Sequence, residues 1–362
     1  MSTYRIALFL AFLLPFQAKS APFGEFDARS AGMGSVGVAT SSLSTSAFYN
    51  PAMLNHQEEA SDFELSVVAG LSGSDKGRLR DDVDAFQTAY NAGDLIEAGN
   101  ILQTSLGKSM AVSAHAGAAF GVNASSFNLA VIGQRYGNAA LRTTGTNAAD
   151  AELEAIALDI TEVGLATSFG IGKLSIGLTP KTQSVTSYDY KKPLADVDTD
   201  FGDVLDELGE TDHGSNFNLD LGMAYQFSNS IFAGLAVQNV SKQTFTTING
   251  TVIELEPQAR LGLAYRGDFF RIGLDVDVTE NEAIAFESKT QYAAIGVELN
   301  AWDWVQLRLG YRDNLSVTEE KRYTAGVGLH LFGVVGVDVA VQADDTSDPD
   351  ELGGYVTVVA GF

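Results

Sequence analysis

The nine residues Phe217–Tyr225, FNLDLGMAY, alternate strictly between large apolar side chains and small or polar ones. In an extended strand, Leu219 and Leu221 would lie on one face, and Asn218 and Asp220 on the other. Such a strand has one face suited to an apolar environment and one suited to a polar environment. About 9–11 residues is also the length that crosses a bilayer when a strand is tilted.

The same alternation recurs in fourteen segments, which begin near residues 61, 109, 125, 155, 172, 214, 229, 257, 269, 286, 303, 320, 334 and 352. Short connections alternate with longer ones, of which 71–108 and 188–213 are the longest. This pattern is typical of bacterial outer-membrane barrels. The sequence therefore predicts an all-β fold, a transmembrane barrel of about 14 antiparallel strands. An even number of strands brings both chain ends to one side, and we expect both termini in the periplasm.

The first twenty residues have the parts of a secretory signal peptide. Arg5 precedes an apolar run over residues 6–16, and residues 18–20 (AKS) form a cleavage site with small side chains. We therefore expect cleavage after Ser20. At the other end, a final amphipathic strand closes on Phe362. A terminal Phe on such a strand resembles the signal read by the outer-membrane assembly machinery.

The composition excludes several classes of function. The chain carries 46 acidic and 22 basic residues, a formal net charge of −24, which disfavours nucleic-acid binding through phosphate contacts. It has no cysteine, so disulfides, iron–sulfur clusters and thiol nucleophiles are excluded. Its four histidines show neither metal-ligand spacing nor a recognisable catalytic cluster. We expect neither an enzyme nor a cofactor.

Residues 80–107 break the strand pattern and predict two helices in an external loop, with Asp94 as the N-cap of the second. Apolar side chains recur on these helices at helical spacing. They would line an apolar mouth of the barrel or belong to a solvated loop, and the sequence leaves both open. The residues concerned are Phe86, Leu95, Ile101 and Leu102.

The alternation also predicts charged side chains that face the barrel lumen. Both signs occur, so a dry lumen would need them to be paired. Structural ion pairing is one interpretation and guidance of a ligand is the other. These residues are Asp220, Arg260, Arg271, Asp275, Asp277, Glu298, Arg308, Arg312 and Asp338.

One acidic loop approximates a calcium-binding loop, with carboxylates at Asp196, Asp198, Asp200 and Glu207. The glycine that makes the sharp turn is one position too late, at Gly202. We therefore expect no metal there and interpret the segment as a solvated acidic loop. The expected partners are outer-membrane lipid and lipopolysaccharide, to which divalent ions can bridge acidic loops.

The segment before the first strand, residues 24–54, is rich in Gly, Ala and Ser and ends in an Asn-Pro-Ala motif. It resembles the N-terminal signature of FadL-type barrels, and the whole mature chain is similar to the conjugal transfer TraF barrel family within that superfamily. The resemblance implies that residues 21–60 form a hatch inside a barrel of residues 61–362. Its motif residues would be Arg29, Gly34, Gly37, Asn50, Pro51 and Ala52.

The resemblance to FadL-type barrels also implies a function, the passive uptake of a hydrophobic small molecule. The ligand would enter between the external helices and leave past the hatch. The competing hypothesis is a non-transporting barrel that serves conjugal transfer or surface assembly through its loops. Replacing residues 50–52 should change the flux of a transporter and leave a scaffold unaffected.

Overall fold

The chain forms a closed barrel of fourteen antiparallel strands, which confirms the predicted fold class. The computed structural model describes residues 17–19, 23–57, 62–75, 77–124, 127–193, 209–282, 288–302, 304–318, 320–331, 334–344 and 350–361. Strands β1–β7 are Phe63–Ser74, Ser109–Ala124, Phe127–Thr144, Glu152–Ile171, Leu174–Pro193, Gly209–Ser228 and Ile231–Gln238. Strands β8–β14 are Gln258–Arg266, Phe270–Asp277, Tyr292–Trp302, Val305–Asn314, Lys321–Leu331, Val335–Ala343 and Glu351–Gly361. Strand β14 pairs with β1 and closes the ring.

The outward face of the barrel is apolar. Phe217 and Leu309 are each 66% exposed although they lie in the middle of paired strands. The residues between them in the alternation, such as Asn218 and Asp220, are buried inside. A continuous apolar surface of this kind is unfavourable in water and stable against lipid tails. The outer face is therefore the one that contacts the bilayer.

Exposed aromatic side chains gather at the end of the barrel that carries the short connections. Phe120, Phe169, Phe227, Tyr265 and Trp304 lie there on the outer surface. Aromatic side chains are favoured at the level of lipid headgroups because one part is apolar and another tolerates water. This ring is typical of the boundary between membrane and water.

Strands β3–β6 are 18–20 residues long, about twice the expected length. In β4 the polarity inverts midway, because Val163 points outward whereas Ile156 and Ile160 are buried inside. At the same level the outward Asp159 accepts a hydrogen bond from Arg135 (Nε–Oδ1 2.9 Å). The outer half of this wall thus has the pattern of a barrel in water. It extends beyond the apolar belt, which the sequence reading missed.

The connection between β7 and β8 contains secondary structure of its own. It contains an antiparallel hairpin, Gln243–Thr246 paired with Val252–Leu255, which we call the lumenal hairpin. The hairpin folds inward, and its apolar side chains pack on the inner faces of β4 and β5. The packed residues are Phe245, Ile253 and Leu255 of the hairpin and Ile156, Leu158, Ile160 and Val185 of the wall.

Helices lie at two places outside the strands. The N-terminal segment contains helix α1 (Ala28–Gly32), helix α2 (Ser46–Tyr49) and a 3₁₀-helix (Pro51–His56). The insert between β1 and β2 contains α3 (Leu79–Asn91) and α4 (Leu95–Ser105). As expected, Asp94 caps α4, with its carboxylate accepting a hydrogen bond from the Glu97 N–H (3.0 Å). None of the described helices combines the length and apolarity needed to cross a membrane.

Residues Gln17–Lys19 pair with Glu280–Glu282 in a short parallel ladder. They fall within the predicted signal peptide. Cleavage after Ser20 stays a prediction, and the mature chain would then lack this ladder. The two strands do not belong to the barrel ring.

Candidate functional site

Residues 23–57 fill the barrel lumen, and we call this segment the hatch. Helix α1 packs against β12, β13 and β14, whereas the 3₁₀-helix packs against β4, β5 and β6 on the opposite wall. Between them, Phe26, Phe48 and Tyr49 form an apolar centre that also contacts the inner face of β2 and β3. The ring of Phe26 stacks on that of Phe48 with 5.3 Å between centroids. The hatch therefore spans the lumen from wall to wall.

Asn50 joins two parts of the hatch to the wall. Its Nδ2 donates to the carbonyl of Val38 in the hatch (2.9 Å) and to that of Met223 in β6 (3.1 Å). Its Oδ1 accepts from the Ala52 N–H (3.1 Å), while Pro51 occupies the first turn of the 3₁₀-helix. Pro is suited to that position because it lacks the N–H that would have no partner there. The Asn-Pro-Ala motif thus ends one hatch segment and fixes it to the barrel.

Glycines let the hatch backbone approach the wall closely. Gly34 has a φ of +73°, a conformation that side chains rarely allow. A Cβ on Gly310 would lie 2.1 Å from the Gly34 nitrogen, and one on Gly222 would lie 2.1 Å from Asn50 Oδ1. A Cβ on Gly37 would lie 2.3 Å from the Tyr49 ring. Both the hatch and the wall therefore require glycine at the contact.

The wall glycines are a feature that sequence reasoning missed. Most stand inside a recurring apolar-Gly-apolar triplet of the strands, as in LGM at 221–223 and IGV at 295–297. The repetition of glycine on the polar face of many strands was the available signal. The wall glycines whose added Cβ would clash with the hatch are Gly121, Gly177, Gly222, Gly234, Gly262, Gly273, Gly296 and Gly310.

Glu298 is the centre of the ionic contact between hatch and wall. Its carboxylate accepts from Arg29 Nε of the hatch (2.8 Å) and from Arg308 Nε of β11 (2.7 Å). Arg271 of β9 adds a third guanidinium (3.4 Å). Arg308 also reaches Asp338 of β13 (2.5 Å). Four lumen charges predicted from the alternation are thus brought together around one hatch arginine.

Four more of the predicted lumen charges also contact the hatch or each other. Asp275 Oδ2 accepts from the Gly37 N–H (2.8 Å), and its neighbour Asp277 pairs with Arg260 (2.5 Å). Arg312 pairs with Glu25, a hatch carboxylate that the sequence reading did not select. Most of the predicted lumen charges are therefore engaged in seating the hatch. This placement supports structural pairing over free charges that guide a ligand.

A second buried cluster contains the predicted lumen charge Asp220 together with two residues that the sequence analysis did not select. Lys181 of β5 lies between Glu162 of β4 (3.1 Å) and Asp220 of β6 (2.8 Å). Asp220 also accepts from the backbone N–H of Asn239 (2.7 Å), where β7 ends with a φ of +52°. The alternation in β5 places Lys181 on the inner face, so counting in twos from Ser175 would have found it.

Burial disfavours ionisation of two carboxyl groups of the hatch, but their neighbours give them very different pKa values. It disfavours ionisation of Glu25, but Arg312 and Arg322 more than compensate and hold the pKa of Glu25 at about 2. Burial raises the pKa of Asp27 to about 6, although Tyr49 donates a hydrogen bond to it (2.9 Å). Glu25 therefore stays ionised at neutral pH, whereas Asp27 takes up a proton as the pH falls through about 6.

A cavity of about 290 Å³ lies above the hatch, on the side of the long connections, and we call it the vestibule. Phe23, Glu25 and Phe48 of the hatch form its floor. Leu255 of the lumenal hairpin reaches it from one side and Tyr355 of β14 from the other. Its lining combines aromatic rings with hydroxyl and charged groups. A cavity of this size is at the lower end of the range for small-molecule sites.

The remaining predicted residues lie away from the vestibule or outside the described part of the chain. Phe86, Leu95, Ile101 and Leu102 lie on α3 and α4, and none of the four is among the residues that line the vestibule. The calcium-loop residues and Phe362 lie outside the described residues. Within the described residues, no group of three or more His, Asp or Glu side chains could hold a metal ion. Each histidine makes a hydrogen bond, as His56 does with Ser175 (2.9 Å).

The comparisons with known proteins agree with this geometry. A family model described as "F plasmid transfer operon, TraF, protein" matches residues 47–277, from the end of the hatch to the end of β9. No curated protein matches the sequence significantly.

Solved structures with the same fold include two toluene transporters and a FadL homologue. The toluene transporter TbuX of Ralstonia pickettii is 13% identical with a TM-score of 0.60, covering 94% of this chain and 99% of TbuX. The toluene transporter TodX of P. putida is 12% identical with a TM-score of 0.53, covering 93% and 99%. A FadL homologue of Pseudomonas aeruginosa is 10% identical with a TM-score of 0.56, covering 95% and 99%. At these identities the likeness shows the shared fold.

Proposed function

Since the chain belongs to the family described as "F plasmid transfer operon, TraF, protein", we propose that it is an outer-membrane barrel for the passive uptake of a small hydrophobic molecule. The observation that carries the proposal is the vestibule, which lies over a hatch seated on the walls through hydrogen bonds, ion pairs and apolar contacts. A purely structural barrel has no need of a cavity above a separate plug. The FadL-type fold of the similar structures supports the same proposal.

The location follows from the barrel. We propose that the short connections and both termini face the periplasm, and that lipid and lipopolysaccharide surround the apolar belt. The assembly machinery would recognise the final strand with Phe362. The helices α3 and α4 and the lumenal hairpin would then lie at the outer end of the barrel, where a ligand arrives.

Asn50→Ala tests the proposal, because it removes the side chain that joins the hatch to β6. We expect faster uptake of the neutral dye N-phenylnaphthylamine by cells that carry the variant, since a loosened hatch opens the lumen. The matched control is Asn147→Ala in an exposed turn. Equal uptake by wild type, Asn50→Ala and cells without the protein would contradict the proposal.

The alternative is a non-transporting barrel that takes part in conjugal transfer. The name of the matched family favours it, and so does the exposure of Leu95 and Ile96 on α4, which offer an apolar surface outside the barrel. This alternative predicts that replacing both residues by Ser lowers the frequency of plasmid transfer. It also predicts that cells with the wild-type protein take up the dye no faster than cells without the protein.

A further inference from the structure

The vestibule contains more carboxylates than cations among the described residues that line it. The carboxylates are Glu25, Glu162, Glu320 and Glu351, and the cations are Lys181, Arg312 and Arg322. A cavity with this balance does not attract a negatively charged ligand.

Each of the three cations is already neutralised by a protein carboxylate. Lys181 lies between Glu162 and Asp220. Arg312 pairs with Glu25, and Arg322 pairs with Glu351. A ligand carboxylate would have to displace one of these protein carboxylates and leave it buried without a partner, which is strongly unfavourable.

The acidic groups are engaged as well, so a cationic ligand gains little. Glu162 accepts hydrogen bonds from Gln134 (3.2 Å) and Gln183 (2.8 Å) in addition to Lys181. Glu25 accepts from Gln342 (2.9 Å) in addition to Arg312. A ligand ammonium group would be desolvated without gaining a carboxylate of its own.

Aromatic rings and hydroxyl groups make up much of the remaining lining. The rings of Phe23, Phe48 and Tyr355 offer apolar contact, while Ser72 and Ser113, whose hydroxyls share a hydrogen bond (2.6 Å), offer hydroxyl groups beside Tyr355. Hydroxyl groups can donate to or accept from an uncharged polar group without a charge being buried. The lining thus suits a molecule with an apolar body and one uncharged polar group.

We infer that the vestibule binds a small uncharged amphiphile, with an apolar ring or chain and a hydroxyl or carbonyl group, and that it discriminates against carboxylates. This inference rests on the proposed function and specifies the ligand class of that site. A fatty acid, which is ionised at neutral pH, would bind poorly.

Three probes of one shape test the inference on the full-length protein in amphipol at pH 7: benzyl alcohol, benzoate and benzylamine. Ligand-observed NMR gives the affinity of each. We expect benzyl alcohol to bind at least about tenfold more tightly than either charged probe. Benzoate or benzylamine binding as tightly as benzyl alcohol would overturn the inference.

Glu320→Lys tests whether the vestibule causes the selectivity. The substitution leaves more cations than carboxylates among the described residues that line the cavity. We expect it to tighten benzoate binding several-fold, and Glu320→Gln to have a smaller effect in the same direction. The control is Asp313→Lys, which makes the same charge change in β11. Asp313 does not line the vestibule. Equal benzoate affinity in wild type and Glu320→Lys, with both folded by heat-modifiable mobility, would overturn the inference.

Failure of the ligand class and failure of the proposed function give different results. If dye uptake depends on the protein while the three probes bind equally, the ligand class is wrong and uptake stands. If no probe binds and dye uptake is independent of the protein, both are wrong.

Discussion

At Glu298, three guanidinium groups meet one carboxylate, and one of them belongs to the hatch. This cluster of buried charges is stable only while all its members remain, because a buried charge without a counter-charge is very unfavourable. The side chain is almost fully buried, so water does not replace a lost partner. The seat of the hatch therefore depends on this one residue more than on the exposed ion pairs of the barrel.

Glu298→Gln removes that counter-charge and leaves Arg29 and Arg308 facing each other. Breaking a buried pair costs about 3–5 kcal/mol, so we expect a looser hatch and larger, noisier ion conductance in planar bilayers. The control is Asp159→Asn, which breaks the exposed pair with Arg135 on the outer surface. Conductance of Glu298→Gln equal to that of the control would show that this pair does not hold the hatch.

Asp27 makes the seating of the hatch depend on pH. Its pKa is about 6 in the docked hatch and 3.8 in an unperturbed carboxyl group. Because the docked hatch binds this proton more tightly, Asp27 favours docking most strongly below about pH 4. That contribution, on the order of 3 kcal/mol, is lost as the pH rises through about 6.

Hydrogen exchange of the hatch, corrected for intrinsic rates, measures this effect. We expect stronger protection of residues 23–57 at pH 5 than at pH 7 in the wild type, and loss of this increase in Asp27→Asn, because burial lowers the pKa of His56 and its effect on docking has the opposite sign. Glu25 does not interfere in this range, since its pKa of about 2 affects stability only at lower pH. Asp150→Asn in an exposed turn is the control. A pH response that persists in Asp27→Asn would assign it to another group.

At the scale of elements, the alternation predicted the strands well because each one meets lipid on one side and polar groups on the other. The two helices of the insert were also predictable, since Asp94 and the spacing of apolar residues are local signals. The outer halves of β3–β6 were underestimated. Above the bilayer the same period of two continues with its polarity reversed, as at Ile156 and Val163.

The lumenal hairpin shows what local signals do not contain. Phe245, Ile253 and Leu255 are too few to distinguish a loop from a hairpin, and their partners on β4 and β5 are far away in sequence. The contacts between the hatch and the wall were also predictable only in part. The alternation places Asp275 and Glu298 inside, but their hatch partners depend on the path of residues 23–57 through the lumen, which no periodicity describes.

At the scale of the whole molecule, the hatch divides the lumen into a closed side and a vestibule. The proposed uptake through the barrel would therefore require the hatch to move or to rearrange. The chain has no cysteine, so a single engineered disulfide can hold the hatch without competing thiols. A Cβ on Gly32 would lie 3.4 Å from the Cβ of Ala340 in β13, close to the separation that a disulfide requires.

The most direct test is dye uptake by cells that carry Gly32→Cys together with Ala340→Cys, measured before and after reduction. The account predicts protein-dependent uptake that is low in the oxidised form and returns to the wild-type rate on reduction, while Ala340→Cys alone matches the wild type throughout. Uptake that is the same with and without the protein, or the same in the oxidised and reduced forms, would contradict passage through a barrel whose hatch must open.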